Sequence, residues 1–198
     1  MIRNMVFDIG NVLADFRIME FLADKGFDPA MSKRIIKASA MTPYWGEFER
    51  NEISEEEALQ KFAQTDPQIG DELRRAFSDV AGLLTIRDFS IPLIKELKEK
   101  GFHTYYLSNY SKKAYYECGE SLAFMKYMDG GVVSFKCGKT KPDPEMYRYF
   151  LQQYNLKAEE CVFVDDTAEN IEVAEQLGFC GIVYKDYEDL RNRLSEWI

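Results

Sequence analysis

Histidine is nearly absent from this sequence, which has only His103 among its 198 residues. A phosphatase built on a histidine nucleophile, or a binuclear metal centre rich in histidine, needs several imidazoles. Both classes are therefore excluded. His103 falls within a predicted strand, where we expect it to pack against its neighbours rather than to take part in chemistry.

Cysteine is scarce and widely spaced. The four cysteines form no CxxC pair, so we expect reduced packing thiols of a cytoplasmic protein. A cysteine phosphatase would also place an arginine six positions after its nucleophile. For Cys118, Cys137, Cys161 and Cys180 those positions hold Phe124, Asp143, Thr167 and Asp186. Cysteine-based phosphoryl transfer is excluded as well.

Long apolar runs and an excess of basic residues are missing too. No run approaches the length of a membrane span, and the first residues lack the apolar core of a signal peptide. We expect no membrane association. Lys and Arg total 25 against 34 Asp and Glu, a formal charge of -9 that disfavours a nucleic-acid partner. With 46% hydrophobic residues, the chain can bury a substantial core.

The order of elements predicts an α/β protein. The apolar run Met5–Phe7 ends at Asp8, as a buried strand ends at a turn. Later segments alternate between strand-like and helix-like patterns. Predicted strands cover residues 102–107, 132–135, 161–164 and 180–184. Predicted helices cover residues 92–101, 112–127, 144–154 and 168–177, and a last helix ends near Trp197. This alternation indicates a doubly wound parallel sheet with its site at the strands' carboxyl ends.

Residues 16–83 carry helical periodicity instead. Ser54, followed three residues later by Glu57, predicts a capping box that starts a helix. We interpret this segment as a helical bundle inserted after the first strand, and residues 1–15 and 84–198 as the α/β core. Asp15, just before the insertion, is expected to be the N-cap of its first helix.

Polar clusters follow four of the core segments: Asp8, Ser108-Asn109, Lys141 and Asp165-Asp166. Each alone has a simple structural explanation, such as a turn residue, a helix cap or a solvated loop. Carboxyl ends of parallel strands, however, face one crevice, so the four clusters are expected to meet there. Their order resembles the four motifs of the haloacid dehalogenase-like superfamily, over 5–13, 106–109, 141–147 and 162–170.

The resemblance implies a Rossmann-like core with an inserted helical cap, and a reaction centred on Asp8. This carboxylate would attack phosphorus and be transiently phosphorylated. Ser108 and Asn109 would bind the phosphoryl oxygens, and Lys141 would neutralise both the nucleophile and the substrate. The expected partner is therefore a small-molecule phosphate ester.

The resemblance also implies Mg²⁺ as cofactor. Hard oxygen ligands would come from the carboxylates of Asp8 and Asp166 and from the backbone carbonyl of Gly10. Asp165 and Asn170 would orient the ligands and the loops around them. Placing Asp165 and Asp166 together is costly unless a cation shares the site.

One position departs from the family pattern. Phosphatases of this superfamily usually carry a second aspartate, a general acid and base, where this chain has Gly10. Dehalogenases of the superfamily also lack it, but they do not use magnesium. The opening Asp8–Val12 is similar to one branch of sugar-phosphate phosphatases that share the glycine. We therefore predict a Mg²⁺-dependent phosphatase of a small metabolite such as a sugar phosphate, with a dehalogenase or a non-catalytic phosphometabolite-binding domain as alternatives.

The glycine also has a consequence for the leaving group. Without an acid, aryl and anomeric phosphates should react faster than phosphates of primary alcohols. If another group supplies the proton, Asp15 is the first candidate to examine. In the insertion, aromatic and acidic residues cluster, and we expect them to be core more than a sugar site: Tyr44, Trp45, Glu47, Phe48 and Glu49.

Overall fold

The computed structural model describes residues 1–198, and its centre is a parallel sheet. The five strands are β1 (Asn4–Phe7), β4 (His103–Ser108), β5 (Gly130–Val133), β6 (Cys161–Asp165) and β7 (Cys180–Val183). Their order is β5-β4-β1-β6-β7, and every neighbouring pair is parallel. Since β1 lies in the middle, its carboxyl end opens at the centre of the sheet edge. The predicted doubly wound sheet is confirmed.

Helices cover the sheet and form the insertion. Those of the insertion are α1 (Ile18–Asp24), α2 (Pro29–Ala38), α3 (Pro43–Glu49), α4 (Glu55–Thr65) and α5 (Gly70–Phe77). Those of the core are α6 (Ser90–Glu99), α7 (Lys112–Glu117), α8 (Ser134–Cys137), α9 (Pro144–Tyr154), α10 (Ala168–Gln176) and α11 (Tyr187–Leu194). The predicted capping box of Ser54 and Glu57 is present at the start of α4.

Apolar residues alternate along β1 between two hydrophobic clusters. Met5 and Phe7 belong to the larger cluster, which also contains buried residues of the insertion such as Phe62. Val6 belongs to the other cluster, where it joins Phe150 of α9. All three β1 side chains are fully buried. Successive strand residues point to opposite faces, so this one strand anchors both layers of helices and fixes the position of Asp8.

The insertion begins and ends at a two-stranded antiparallel ribbon. Its strands are β2 (Ala14–Phe16) and β3 (Leu84–Ile86), and Phe16 is the register partner of Leu84. The prediction that Asp15 caps the first inserted helix is wrong. Asp15 lies within β2 and pairs with Arg87 at 2.7 Å, because the chain remains extended up to Arg17, the N-cap residue of α1.

Three other details differ from the sequence-based expectations. The predicted helix 112–127 ends at Glu117 and continues as a 3₁₀ helix over Gly119–Tyr127. β5 starts two residues earlier than predicted, because its glycines allow a close approach: a Cβ on Gly131 would lie 2.3 Å from Tyr106. The His103 side chain is 61% exposed, at the start of β4 and 3.9 Å from Asp129, so its predicted packing role is wrong.

All four cysteines are free thiols, with Cys118 and Cys161 buried. No helix in the structure has the length and apolar character needed to cross a bilayer.

Candidate active site

The four polar clusters lie together at the carboxyl edge of the sheet. Asp8 directly follows β1, Ser108 is the last residue of β4, and Asp165 is the last residue of β6. Lys141 reaches the same point from the loop between α8 and α9. All four side chains are buried. Residues separated by more than 150 positions in the chain therefore form one cluster, as the parallel topology requires.

Lys141 bridges the two central carboxylates. Its Nζ lies 2.8 Å from Oδ1 of Asp8 and 2.6 Å from Oδ2 of Asp165. The lysine side chain is 2% exposed. Burial alone would lower the pKa of Lys141, but the negative charges of Asp8 and Asp165 raise it above its ordinary value. The lysine is thus held in its charged form beside the predicted nucleophile.

Asp8 has an altered acidity. Burial raises its pKa to about 6, the charge of Asp165 adds to that effect, and Lys141 and Ser108 oppose it. A carboxyl group in this position is ionised at neutral pH yet poorly solvated. A desolvated carboxylate is a better nucleophile than one held by water, provided that a nearby cation offsets its charge.

Both carboxylate oxygens of Asp165 accept hydrogen bonds from other residues of the protein. Its Oδ1 accepts hydrogen bonds from the Thr167 amide at 2.8 Å and from Nδ2 of Asn170 at 3.0 Å. Its Oδ2 accepts from Lys141 at 2.6 Å. Both oxygens are therefore occupied, and the carboxylate fixes the orientations of Lys141 and of the first turn of α10.

Asp166 stands in contrast to its neighbour, because it is only half-buried and lines the open cavity. Its Oδ2 accepts a hydrogen bond from Nδ2 of Asn11 at 3.1 Å. Carboxylate oxygens of Asp8, Asp165 and Asp166 lie within 4.8 Å of one another. The backbone carbonyl of Gly10 accepts no hydrogen bond from the chain. Two carboxylates and a free carbonyl suit a hard divalent cation such as Mg²⁺, so the residues present fit the predicted metal.

Asn109 is positioned by reciprocal contacts with Lys141. Its Oδ1 accepts from the Lys141 amide at 2.8 Å, and its Nδ2 donates to the Lys141 carbonyl at 2.9 Å. The Asn109 side chain thus holds the lysine loop, the segment between α8 and α9 that carries Lys141. The predicted phosphate contact of Asn109 stays a prediction.

A cavity of about 290 Å³ opens above this polar edge. Its floor contains Asp8, Gly10, Ser108, Lys141, Asp166 and Asn170. Its walls and roof come largely from the insertion, and they include Trp45, Phe48, Leu59, Phe62, Val80 and Leu83. Asp15, the candidate proton donor named from sequence, does not line the cavity.

The aromatic and acidic cluster of α3 divides between two faces of the helix. Trp45, Phe48 and Glu49 line the cavity, whereas Tyr44 and Glu47 contact Lys61 on the other side. The positions 45, 48 and 49 have the spacing of one helical face, a signal that was available from sequence. Trp45 also stacks on Phe62 within the hydrophobic cluster, so it belongs to the core as well as to the cavity wall.

Glu49 was expected to belong to the core, but the structure places it in the lining of the cavity. Nε1 of Trp45 donates to its Oε1 at 3.0 Å, and Oε2 accepts no hydrogen bond from the chain. Burial raises the pKa of Glu49 to about 7, against the hydrogen bond from Trp45, and the charge of Asp8 raises it further. The Glu49 carbonyl accepts from Oγ of Ser134 at 2.8 Å, and Ser134 also binds the backbone of Tyr110. The backbone of Glu49 is therefore tied to the loop that follows Ser108.

Comparison with known proteins agrees with this geometry. The haloacid dehalogenase-like hydrolases match residues 2–178. A sesquiterpene phosphatase from Aspergillus oryzae is 27% identical over 181 residues, 91% of this chain and 89% of that protein. A D-ribitol-5-phosphate phosphatase from Bacteroides thetaiotaomicron is 25% identical over 206 residues, 98% of each chain. The crystal structure of a HAD family enzyme from the same bacterium, in complex with magnesium and inorganic phosphate, is 20% identical with a TM-score of 0.72, covering 96% of this chain and 99% of that one.

Proposed function

Because this chain belongs to the haloacid dehalogenase-like hydrolase family, we propose that it is a Mg²⁺-dependent phosphatase that hydrolyses a small phosphate monoester through Asp8. The observation that carries the proposal is the position of Lys141, whose buried Nζ lies 2.8 Å from the Asp8 carboxylate. An anionic nucleophile can approach an anionic phosphate only where positive charge offsets the repulsion. Lys141 supplies part of that charge within the protein.

The first step is the attack of an Asp8 carboxylate oxygen on phosphorus. A bond forms between that oxygen and phosphorus while the ester bond breaks, and its electron pair leaves with the alcohol oxygen. Ser108, buried beside Asp8, donates its hydroxyl to a phosphoryl oxygen, and Lys141 stabilises the negative charge that remains. Water then hydrolyses the aspartyl phosphate, which restores Asp8 and releases inorganic phosphate.

The cation is assigned to Asp8, Asp166 and the Gly10 carbonyl. When bound, it would neutralise phosphate charge and hold the substrate in line with Asp8. Asp165 and Asn170 serve this arrangement indirectly, since they hold Lys141 and the start of α10 in place. This donor set favours the phosphatase over a metal-independent dehalogenase.

The insertion, residues 16–83, is proposed to act as a cap. Its residues supply most of the cavity's roof, and it contacts the core through the Ser134 hydrogen bond and through Lys113, which pairs with Glu55 at 2.8 Å. The names of the two phosphatase relatives point to different substrates, a sesquiterpene in one and D-ribitol 5-phosphate in the other. Their names therefore leave the substrate open.

The proposal is tested with para-nitrophenyl phosphate. Wild-type protein should hydrolyse it with Mg²⁺ and lose activity in a chelator, and Asp8→Asn should abolish turnover while circular dichroism shows an unchanged fold. Asp15→Asn is the matched control, because the same substitution at a carboxylate outside the cavity should leave turnover intact. Equal hydrolysis by wild type and Asp8→Asn would overturn the mechanism. A wild-type protein that binds phosphate but turns nothing over would support the non-catalytic alternative.

A further inference from the structure

The cavity above Asp8 has two chemically distinct halves. Polar side chains are concentrated at the sheet edge, where a phosphate group would lie. From the insertion, the lining side chains are aromatic or aliphatic except for Glu49 and Glu55. Glu55 is already paired, since it lies 2.8 Å from Nζ of Lys113. The half of the cavity that would receive the alcohol therefore offers almost no free hydrogen-bonding group.

This distribution discriminates between alcohols. Each hydroxyl buried without a partner weakens binding by about five- to 150-fold, so a polyol or sugar placed against Trp45, Phe48 and Leu59 would lose water without recovering its hydrogen bonds. A hydrocarbon chain in the same place gains from leaving water. The cavity of about 290 Å³ lies at the small end of the range for ligand sites, which suits a short chain or a single ring system.

We propose that the physiological substrate is the phosphate monoester of an apolar alcohol, whose hydrocarbon part lies against the insertion side chains. The proposal rests on the phosphatase function given above and replaces the sugar phosphate expected from the sequence. The cap then determines which alcohol is accepted, while the polar residues of the cavity floor bind the phosphate group that all candidate substrates share.

The decisive experiment compares n-hexyl phosphate with sorbitol 6-phosphate. Both are primary phosphates on an unbranched chain of the same length, and they differ in hydroxyl groups. We expect kcat/KM to be at least about 100-fold higher for the hexyl ester, as unpaired hydroxyls imply. Among ethyl, butyl and hexyl phosphates, kcat/KM should rise about fourfold per methylene, the value for burying one methylene at room temperature.

A flat chain-length series, or faster hydrolysis of the polyol ester, would overturn the apolar assignment. Hydrolysis of para-nitrophenyl phosphate that depends on Asp8 would show, in that case, that the phosphatase function itself stands. Absence of any Asp8-dependent hydrolysis would instead overturn the function, and with it this proposal.

A pair of variants locates the effect in the cavity. Leu59→Asn introduces a polar group into the lining and should lower kcat/KM for hexyl phosphate about tenfold, with little change for ethyl phosphate. Leu156→Asn is the control, because Leu156 is also partly buried but packs against the other hydrophobic cluster. Equal effects of both variants on the hexyl ester would contradict a cavity-specific role.

A second inference comes from a different observation, the absent side chain at Gly10. Glu49 offers a carboxyl group in the same cavity, with Oε1 held by Trp45 and Oε2 free. Its backbone is tied through Ser134 to the loop after Ser108. The structure assigns to Glu49 the general acid and base role that Gly10 cannot perform.

As the ester bond breaks, Glu49 gives its proton to the alcohol oxygen, and the alcohol leaves neutral. The Glu49 carboxylate then takes a proton from the water that attacks the aspartyl phosphate. The charged groups that act on Glu49 are Asp8, Lys141 and Arg50. With its pKa raised to about 7, chiefly by burial, the group can hold a proton at neutral pH and release it again.

The test uses esters whose alcohols differ in pKa. In Glu49→Gln, hydrolysis of alkyl phosphates should fall by about 10²- to 10⁴-fold, whereas para-nitrophenyl phosphate, whose leaving group needs no proton, should fall less than about tenfold. Glu47→Gln is the matched control and should change neither, because Glu47 pairs with Lys61 on the other face of α3 and does not line the cavity. A purely structural role would lower both substrates equally in Glu49→Gln, and that outcome would overturn the assignment.

Discussion

The side chain of Asn109 makes two hydrogen bonds to the backbone of Lys141. It accepts one from the Lys141 amide at 2.8 Å and donates one to the Lys141 carbonyl at 2.9 Å. Two neighbouring motifs of the site are thereby linked without substrate. The lysine loop has no secondary structure of its own between α8 and α9, so this amide holds the loop in register with the end of β4.

Asn109→Ala should therefore displace Lys141. Both backbone groups of Lys141 would lose their partner, at a cost of about 1–3 kcal/mol in the free energy of unfolding. We expect a marked fall in kcat with a smaller change in KM for para-nitrophenyl phosphate, because Lys141 acts on the transition state. Urea unfolding and steady-state kinetics measure the two effects. Full activity with reduced stability would show that the lysine does not depend on this contact.

The two adjacent aspartates should respond in opposite ways to the same substitution. Asp166→Asn should weaken Mg²⁺ binding strongly and change stability little, because Asp166 is only half-buried and lines the open cavity. Asp165→Asn should retain more Mg²⁺ affinity but lower stability by about 3 kcal/mol, since it weakens a buried ion pair. Calorimetric titration and urea unfolding would decide. The reverse ranking in Mg²⁺ affinity would mean that the ligand is Asp165.

Glu49 should make metal-free protein less stable as the pH rises. Its pKa increases from 4.5 in the unfolded chain to about 7 in the fold, mainly through burial. The native state keeps its proton in that interval while the unfolded state loses it, so stability falls between about pH 4.5 and 7. Glu49→Gln should be more stable than wild type above pH 7, by about 2 kcal/mol after allowance for partial solvent contact.

The stability difference between Glu49→Gln and wild type should vanish at about pH 4, where the glutamine and the protonated glutamate are both neutral. Thermal unfolding in a chelator across this range measures it. A constant difference between Glu49→Gln and wild type at every pH would show that Glu49 does not titrate as its surroundings imply.

Gly10→Asp should rescue Glu49→Gln. A Cβ built at Gly10 meets nothing within 4 Å, so a side chain can begin there without a clash. We expect the double variant to recover about tenfold or more of the lost rate on alkyl phosphates. Asp15→Asn should have no effect, because Asp15 is occupied by Arg87 at 2.7 Å. If Gly10→Asp rescues nothing while Mg²⁺ affinity is unchanged, proton supply is not the step that Glu49 serves.

Much of the site was predictable because it depends on strand ends. The apolar run before Asp8 and the one before Asp165 are fully buried strands, and short apolar runs that end at turn residues are typical of such strands. Once their parallel arrangement is known, the meeting of Asp8 with Asp165 follows from topology.

The missed features depend on contacts between distant parts of the chain. The ribbon of β2 and β3 has strands of only three residues each, too short for a period to emerge. Because this ribbon forms, Asp15 lies in a strand and pairs with Arg87 instead of capping a helix. Similarly, the acidity of Glu49 arises from enclosure by the core, and no local pattern in α3 encodes that enclosure.

The pairing of Phe16 with Leu84 also makes the chain modular. The 67 intervening residues leave the core and return to it at two residues that lie opposite each other in the ribbon, so the gap that any replacement must span is a single strand spacing. A different helical segment, longer or shorter, can be grafted at this junction without moving Asp8, because loop-closure entropy grows only slowly with length. Exchange of the segment between these two junctions would thus change the cavity roof, and Glu49 with it, while Asp8, Ser108, Lys141 and Asp165 keep their places at the sheet edge.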